Sequence, residues 1–218
     1  MTKIKIFGLD SYDDYWKKRK ERDRTEISEI HRIIISLVEK NVKPGATVLD
    51  LGVGPGHVFQ ELQKKYNCYG VEIAQEALDM YDFPKEQIAK GDFTKEIPDF
   101  GGVNTFDVII ASNIFHHLKQ PVEFLRELKK RMAKNSILIL VTPNVSFVVP
   151  RIKYFFKGEF PDLSASHINF ITPQEYKNIF AEEEMEIVEI AGMGRHKNLI
   201  KLNPCLFSGG LFFVLRLK

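Results

Sequence analysis

Apolar residues recur along this chain in two rhythms. Ile27, Ile30, Ile34 and Leu37, with Val38 alongside, keep the spacing of one helical face. Pro44-Gly45 closes that region. Short apolar runs then read as strands at 47–51, 68–73, 87–89, 106–111, 136–141, 185–191 and 211–217. The run Phe106-Asp107-Val108-Ile109-Ile110-Ala111 is almost wholly apolar, as a parallel strand buried on both faces must be. Helical spacing fills the intervals at 57–66, 74–81 and 121–133, the last with Val122, Leu125, Leu128 and Met132 facing inward. Another helix opens at Thr172-Pro173-Gln174-Glu175, an N-cap threonine followed by proline and acids, and runs to about Glu183. Residues 11–40 are charge-rich before turning amphipathic, and 144–171 read as irregular and aromatic-rich.

Strands alternating with helices imply βαβ units, hence an α/β fold with a largely parallel sheet covered on both faces. A chain of 218 residues fits one such domain with modest additions, and 44% hydrophobic content suits a globular protein. A net charge of +2 gives no support to a nucleic-acid partner. No run of 18 apolar residues predicts a membrane span, and the first ten residues lack a signal-peptide core, so the expected location is the cytoplasm. Cys68 and Cys205 stand far apart, and the six histidines form no H-x-x-x-H or Cys/His cluster, so no metal is expected.

The chemistry gathers at the ends of the predicted strands, where open α/β sheets bind ligands. Val48-Leu49-Asp50-Leu51-Gly52-Val53-Gly54-Pro55-Gly56 carries a strand directly into a glycine-rich turn. The dinucleotide fingerprint G-x-G-x-x-G needs its third glycine at position 57, which is His57, and no G-x-x-x-x-G-K-[ST] run exists. Asp-x-Gly-x-Gly-x-Gly, followed by Glu72 twenty positions after Gly52, resembles the first two motifs of the class I S-adenosylmethionine-dependent methyltransferases. The resemblance covers roughly residues 40–190. It implies a Rossmann-like three-layer sandwich, a seven-stranded mostly parallel sheet with an antiparallel last strand. It further implies S-adenosyl-L-methionine as cofactor and S-adenosyl-L-homocysteine as product. The expected division is an N-terminal helical lid at 1–40 and the methyltransferase domain at 41–218, with 144–171 capping the acceptor side.

By the same resemblance, Glu72 holds both ribose hydroxyls and Asp92 the adenine amino group. Phe93 offers a backbone N–H or an apolar contact, and Ile73 packs on the adenine or in the core. Gly52, Val53, Gly54 and Gly56 admit the amino-acid part of the cofactor. Asp50 meets its ammonium or hydrogen-bonds the glycine turn. Ser112 and Asn113 line the site near the methyl donor. A pyrophosphate would be repelled by Asp50; this cofactor has no phosphate.

A small-molecule acceptor, methylated on oxygen, is the expected substrate. His116, His117 and His167 are the candidate bases, imidazole having a suitable pKa, with fixing of local turns as the alternative role. His167-Ile168-Asn169-Phe170-Ile171-Thr172 resembles a segment of ubiquinone-biosynthesis-like methyltransferases. Tyr12, Tyr15, Trp16 and Arg19 from the first region, and Asn144 and Tyr154 from the second, are the candidate acceptor-side residues. The run 147–157, apolar and basic together, fits an acceptor pocket, a packed lid or a membrane surface. A regulatory S-adenosylmethionine-binding protein of the same fold remains the alternative function. A nucleotide-dependent oxidoreductase is disfavoured by the misplaced glycine, and a nucleic-acid methyltransferase by the lack of an Asn-Pro-Pro-Tyr-type motif at Ser112-Asn113-Ile114-Phe115. A monomer or homodimer is expected.

Overall fold

The computed structural model describes residues 11–21, 27–157 and 169–218, apart from the side chains at 21, 153, 154 and 157. Two helices lead in, α1 (Tyr12–Glu21) and α2 (Glu29–Asn41). Then come β1 (Thr47–Leu51), α3 (His57–Leu62), β2 (Asn67–Glu72), α4 (Gln75–Leu78) and β3 (Ile88–Lys90). The second half runs β4 (Phe106–Ser112), α5 (Pro121–Lys130), β5 (Met132–Pro143), α6 (Val148–Lys157) and α7 (Pro173–Glu182). It closes with β6 (Met185–Gly192), α8 (Lys197–Leu202), α9 (Pro204–Phe207) and β7 (Gly210–Leu217).

The strands form one sheet of order β3-β2-β1-β4-β5-β7-β6. Pairings from β3 through β5 are parallel, while β7 runs antiparallel to both β5 and β6. Side chains alternate across the sheet as a period of two dictates. Val48, Val108, Ile110, Ile139 and Phe212 face α2 and α3, meeting Ile34, Leu37, Val38 and Phe59. Leu49, Leu51, Ile109, Leu138 and Phe213 face the other way, meeting Leu125 and Leu128 of α5 and Phe180 of α7. The chain leaves β1 toward β2 on one side, and β4 lies on the other. That reversal of strand order opens the crevice in which α/β sheets bind ligands.

Several elements differ from the sequence reading. Residues 144–171 are not wholly irregular, since α6 lies within them; its Pro150 sits in the first turn, where proline leaves no intrahelical bond unmade. Met132 belongs to β5 rather than to the inner face of α5, because the helix ends at Lys130 and the chain pairs at once with Phe106. Helices α3 and α4 are shorter than 57–66 and 74–81. Helix α2 buries Ile34, Leu37 and Val38 against the sheet, so it covers the core and not the crevice.

Candidate functional site

The crevice is built first by the turn after β1. Gly52, Gly54 and Gly56 all take positive φ, of 71°, 59° and 82°, a conformation in which a Cβ is strained. Space adds a second requirement at Gly54, where an ideal Cβ would lie 2.9 Å from Cζ2 of Trp16. The turn is pinned to β2, with Gly52 N–H donating to Val71 O at 2.8 Å.

Two carboxyl groups stand behind it. Asp50 is buried, and no hydrogen bond among the described residues reaches its carboxyl group. Burial first, and then the nearby Glu72 charge, push its pKa up to about 7. Glu72 is also buried, but well bonded. Its Oε2 accepts from Gly54 N at 2.8 Å, and its Oε1 accepts from Ile73 N and Ala74 N at 2.9 Å each. Burial raises its pKa, opposed by those three backbone bonds. A carboxylate has about four acceptor sites. Glu72 can therefore take one ligand hydroxyl as it stands, and a second on release of the Gly54 N–H.

Glu72 opens onto a cleft of about 530 Å³ whose walls come from five strand ends and α1. Gly52, Ile73, Asp92, Phe93, Ser112 and Asn113 line it, as expected, whereas Asp50, Gly54 and Gly56 lie behind its wall and Val53 packs into the core layer under α2 and α3. Ile73 is 39% exposed, so its side chain belongs to the cleft rather than the core. Asp92 accepts from Thr94 N at 3.1 Å and Thr94 Oγ1 at 2.6 Å, and lies 3.4 Å from Lys95. Burial works to raise its pKa, but these bonds outweigh it and hold the carboxyl below its usual value. Asn113 adopts φ 56°, which asparagine tolerates better than most residues.

Helix α1 covers the cleft with Tyr12, Tyr15 and Trp16. It is tied to α4 by Asp13, which accepts from Glu76 N at 3.1 Å. Burial, then the charges of Glu72 and Asp92, raise the Tyr12 pKa. Arg19 does not line the cleft. Its Nη1 donates to Tyr15 Oη at 2.7 Å, and its guanidinium lies 5.4 Å and 5.5 Å from the Tyr15 and Trp16 ring centres.

His116 and His117 form a 3-10 turn after β4, and both line the cleft, their ring centres 4.0 Å apart. Asn169 fastens that turn, its N–H donating to His116 O at 3.2 Å and its side chain to Phe115 O at 3.3 Å. Asn144 departs from the expectation. Its side chain donates to Cys205 O and Ser208 O at 2.8 Å and 2.7 Å and accepts from Ser146 N, so it anchors α9 instead of facing an acceptor. His167 and the Tyr154 side chain lie outside the described residues.

Thr94, Ile114, Leu118 and Pro143 also line the cleft. Thr94 was legible as the hydroxyl two residues after Asp92, a spacing that suits a local turn bond; the apolar three carried no signal apart from core packing.

No lysine or arginine lines this cleft among the described residues, which makes it a poor cradle for a pyrophosphate. A buried carboxyl without a partner suits an ammonium. Glu72 suits a hydroxyl, and Ile73 and Phe93 suit a flat ring. The lining groups fit the ribose and adenine of S-adenosylmethionine, and Asp50, just behind the wall, offers its ammonium a carboxyl.

Comparison with known proteins agrees. Residues 15–190 match a sequence family described as a methyltransferase domain. Demethylmenaquinone methyltransferase of Thermotoga maritima is 25% identical over 209 residues, covering 86% of this chain and 82% of that protein. Malonyl-[acyl-carrier protein] O-methyltransferase of Halalkalibacterium halodurans is 27% identical over 124 residues, covering 51% of this chain and 45% of that protein. The chain thus spans about half the length of some curated relatives it matches. Among solved structures, magnesium protoporphyrin IX methyltransferase of Synechocystis, with bound S-adenosylhomocysteine, superimposes with a TM-score of 0.68. That alignment covers 96% of this chain and 97% of the other at 14% identity, and so bears on the fold.

Proposed function

The chain belongs to the class I S-adenosylmethionine-dependent methyltransferases, whose cofactor is S-adenosylmethionine, and we propose that it methylates an oxygen of a small-molecule acceptor. The carrying observation is the pair Asp50 and Glu72 behind the glycine turn: a buried carboxyl without a hydrogen bond among the described residues, beside one with a single acceptor site open to the cleft.

The cofactor, when bound, supplies a methyl group already activated on a positively charged sulfur. The residues of this chain then have three tasks. Asp50 holds the cofactor's ammonium and Glu72 its ribose. Ile73, Asp92 and Phe93 receive the adenine, and Ser112 and Asn113 border the methyl donor. Tyr12, Tyr15 and Trp16 shield the cleft from water, which sharpens every charge interaction inside it. Holding donor and acceptor in line contributes several kcal/mol to the rate.

An alcohol or phenol acceptor must also lose a proton. His117, half-buried on the cleft wall, is the proposed base, with buried His116 beside it. The test is release of S-adenosylhomocysteine with a panel of hydroxylated, carboxylated and amine acceptors, for wild type and His117→Ala. Turnover on a hydroxylated acceptor, slowed about a hundredfold in His117→Ala with cofactor affinity unchanged, is the expected outcome. Turnover on amines alone would overturn the oxygen assignment. An unimpaired His117→Ala would remove the base.

A further inference from the structure

Helix α6 presents an apolar stripe to solvent. Phe155 is 81% exposed and Phe156 79%, and Val149 and Ile152 continue the stripe one and two turns earlier. These positions, i, i+3 and i+7, share one helical face. Exposed aromatic side chains in such a row mark a surface that meets something apolar.

The charge around it is one-sided. The α6 sequence contains Arg151, Lys153 and Lys157, and no Asp or Glu occurs anywhere from 128 to 158. The stretch from 190 to 218 lacks acids as well, and it supplies α8 and α9. Helix α9 packs against both α6 and α8. On α8, Leu199 and Leu202 are exposed beside Lys201. Arg151 of α6 and Asn203, next to Leu202, line one shallow depression. Among the described residues the depression beside α6 is lined by Arg151 and Lys177 and by no acid, while Glu29 pairs with Lys197 at the start of α8.

Aromatic and aliphatic side chains on a short helix that carries bases and no acid are the composition of a helix that lies in the plane of a lipid interface. Each Lys or Arg near an anionic leaflet adds attraction that salt screens. A second copy of this chain would bring the same positive charge to the contact and be repelled.

We propose that α6, with α8 beside it, docks on an anionic lipid surface. Phe155, Phe156 and Ile152 enter the interface, and the bases meet the headgroups. Pro143, on the cleft wall, lies five residues before α6 begins. Docking therefore brings the acceptor side of the cleft to the lipid, where a lipophilic acceptor would be found.

The test is sedimentation of the full chain with vesicles of phosphatidylcholine alone and of phosphatidylcholine mixed with phosphatidylglycerol, at low and high salt. Wild type should sediment with the mixed vesicles, less so at high salt. Phe155→Ser/Phe156→Ser and Arg151→Glu should each weaken this by on the order of tenfold. Unchanged thermal unfolding and unchanged calorimetric binding of S-adenosylhomocysteine show that the variants are intact, and neither readout depends on docking. No vesicle binding, or equal binding by the double variant, overturns the proposal. So does a wild type that is dimeric by analytical ultracentrifugation, with the double variant monomeric and neither bound to vesicles, which would assign the face to a second copy.

Discussion

On the proposed reading, the site turns on Asp50. Its carboxyl is out of water, without a hydrogen bond among the described residues, and holds its proton up to about pH 7. Because the folded value lies above the ordinary 3.8, the linked stability is fully present below about pH 4 and is lost as pH rises to about 7. At about 1.4 kcal/mol for each pH unit the loss approaches about 4 kcal/mol in the free protein. Ligand binding should follow the opposite course, since an ammonium needs the ionised carboxyl. Affinity for S-adenosylmethionine should rise as pH approaches 7 and level off above it. Asp50→Asn should remove Asp50's share of the stability slope between pH 4 and pH 7, leaving that of Glu72 and His31, and bind the cofactor weakly at every pH. Urea unfolding and calorimetry across that range read both effects. A variant that keeps the wild-type slopes would show that another group carries them. His31 titrates in the contrary sense. Its pKa is lowered to about 4 by burial, with the charges of His57, Arg19 and Arg32 adding, so its contribution is lost as pH falls from 6.5 to about 4. The difference between wild type and variant therefore isolates Asp50.

At the scale of elements, helix α7 illustrates what a sequence can declare. Thr172 Oγ1 accepts from Glu175 N at 3.2 Å, and Glu175 Oε2 accepts from Thr172 N at 2.6 Å, a reciprocal cap visible in the order of the residues. Thr172→Ala should lower stability by about 1 kcal/mol in urea unfolding. Strand β1 was likewise legible to its ends, because an apolar run between Pro44-Gly45 and a glycine turn has one reading. Helix α6 was not, since its outward phenylalanines obey no buried period and Pro150 resembles a loop signal. The short α8 and α9 carry too few residues for a period to emerge. Met132 misled because it falls four residues after Leu128, the helical interval, while the chain had already turned into β5. In the cleft, Glu72, Ile73, Asp92, Phe93, Ser112 and Asn113 were legible because strand ends can be counted. Asn144 was not, because its partners on α9 are about 60 residues away. Helix α1 adds a prediction of its own. Trp16→Ala, by uncovering Gly54, should raise the Kd for S-adenosylmethionine about tenfold, chiefly by faster release in stopped-flow measurements.

Across the whole molecule, the sheet separates two apolar layers, and β7, antiparallel between β5 and β6, seals its far side. Phe213 on β7 is wholly buried and meets Tyr176 and Phe180 of α7, with ring centres 5.4 Å and 5.3 Å away. Phe213→Ala should cost about 3–5 kcal/mol of stability while leaving cofactor affinity intact in the fraction that folds. The division of labour is spatial: packing dominates the far half of the sheet, and the cleft proposed for the chemistry opens where β1 and β4 part. The central claim is that this parting holds S-adenosylmethionine through Glu72 and Asp50. Calorimetric titration of the purified chain with S-adenosylmethionine, S-adenosylhomocysteine and NAD, for wild type and Glu72→Ala, tests it most directly. Micromolar binding of both sulfur compounds, none of NAD, and loss of at least about tenfold in Glu72→Ala are the predicted results. Binding of neither sulfur compound, or equal binding by Glu72→Ala, would contradict it.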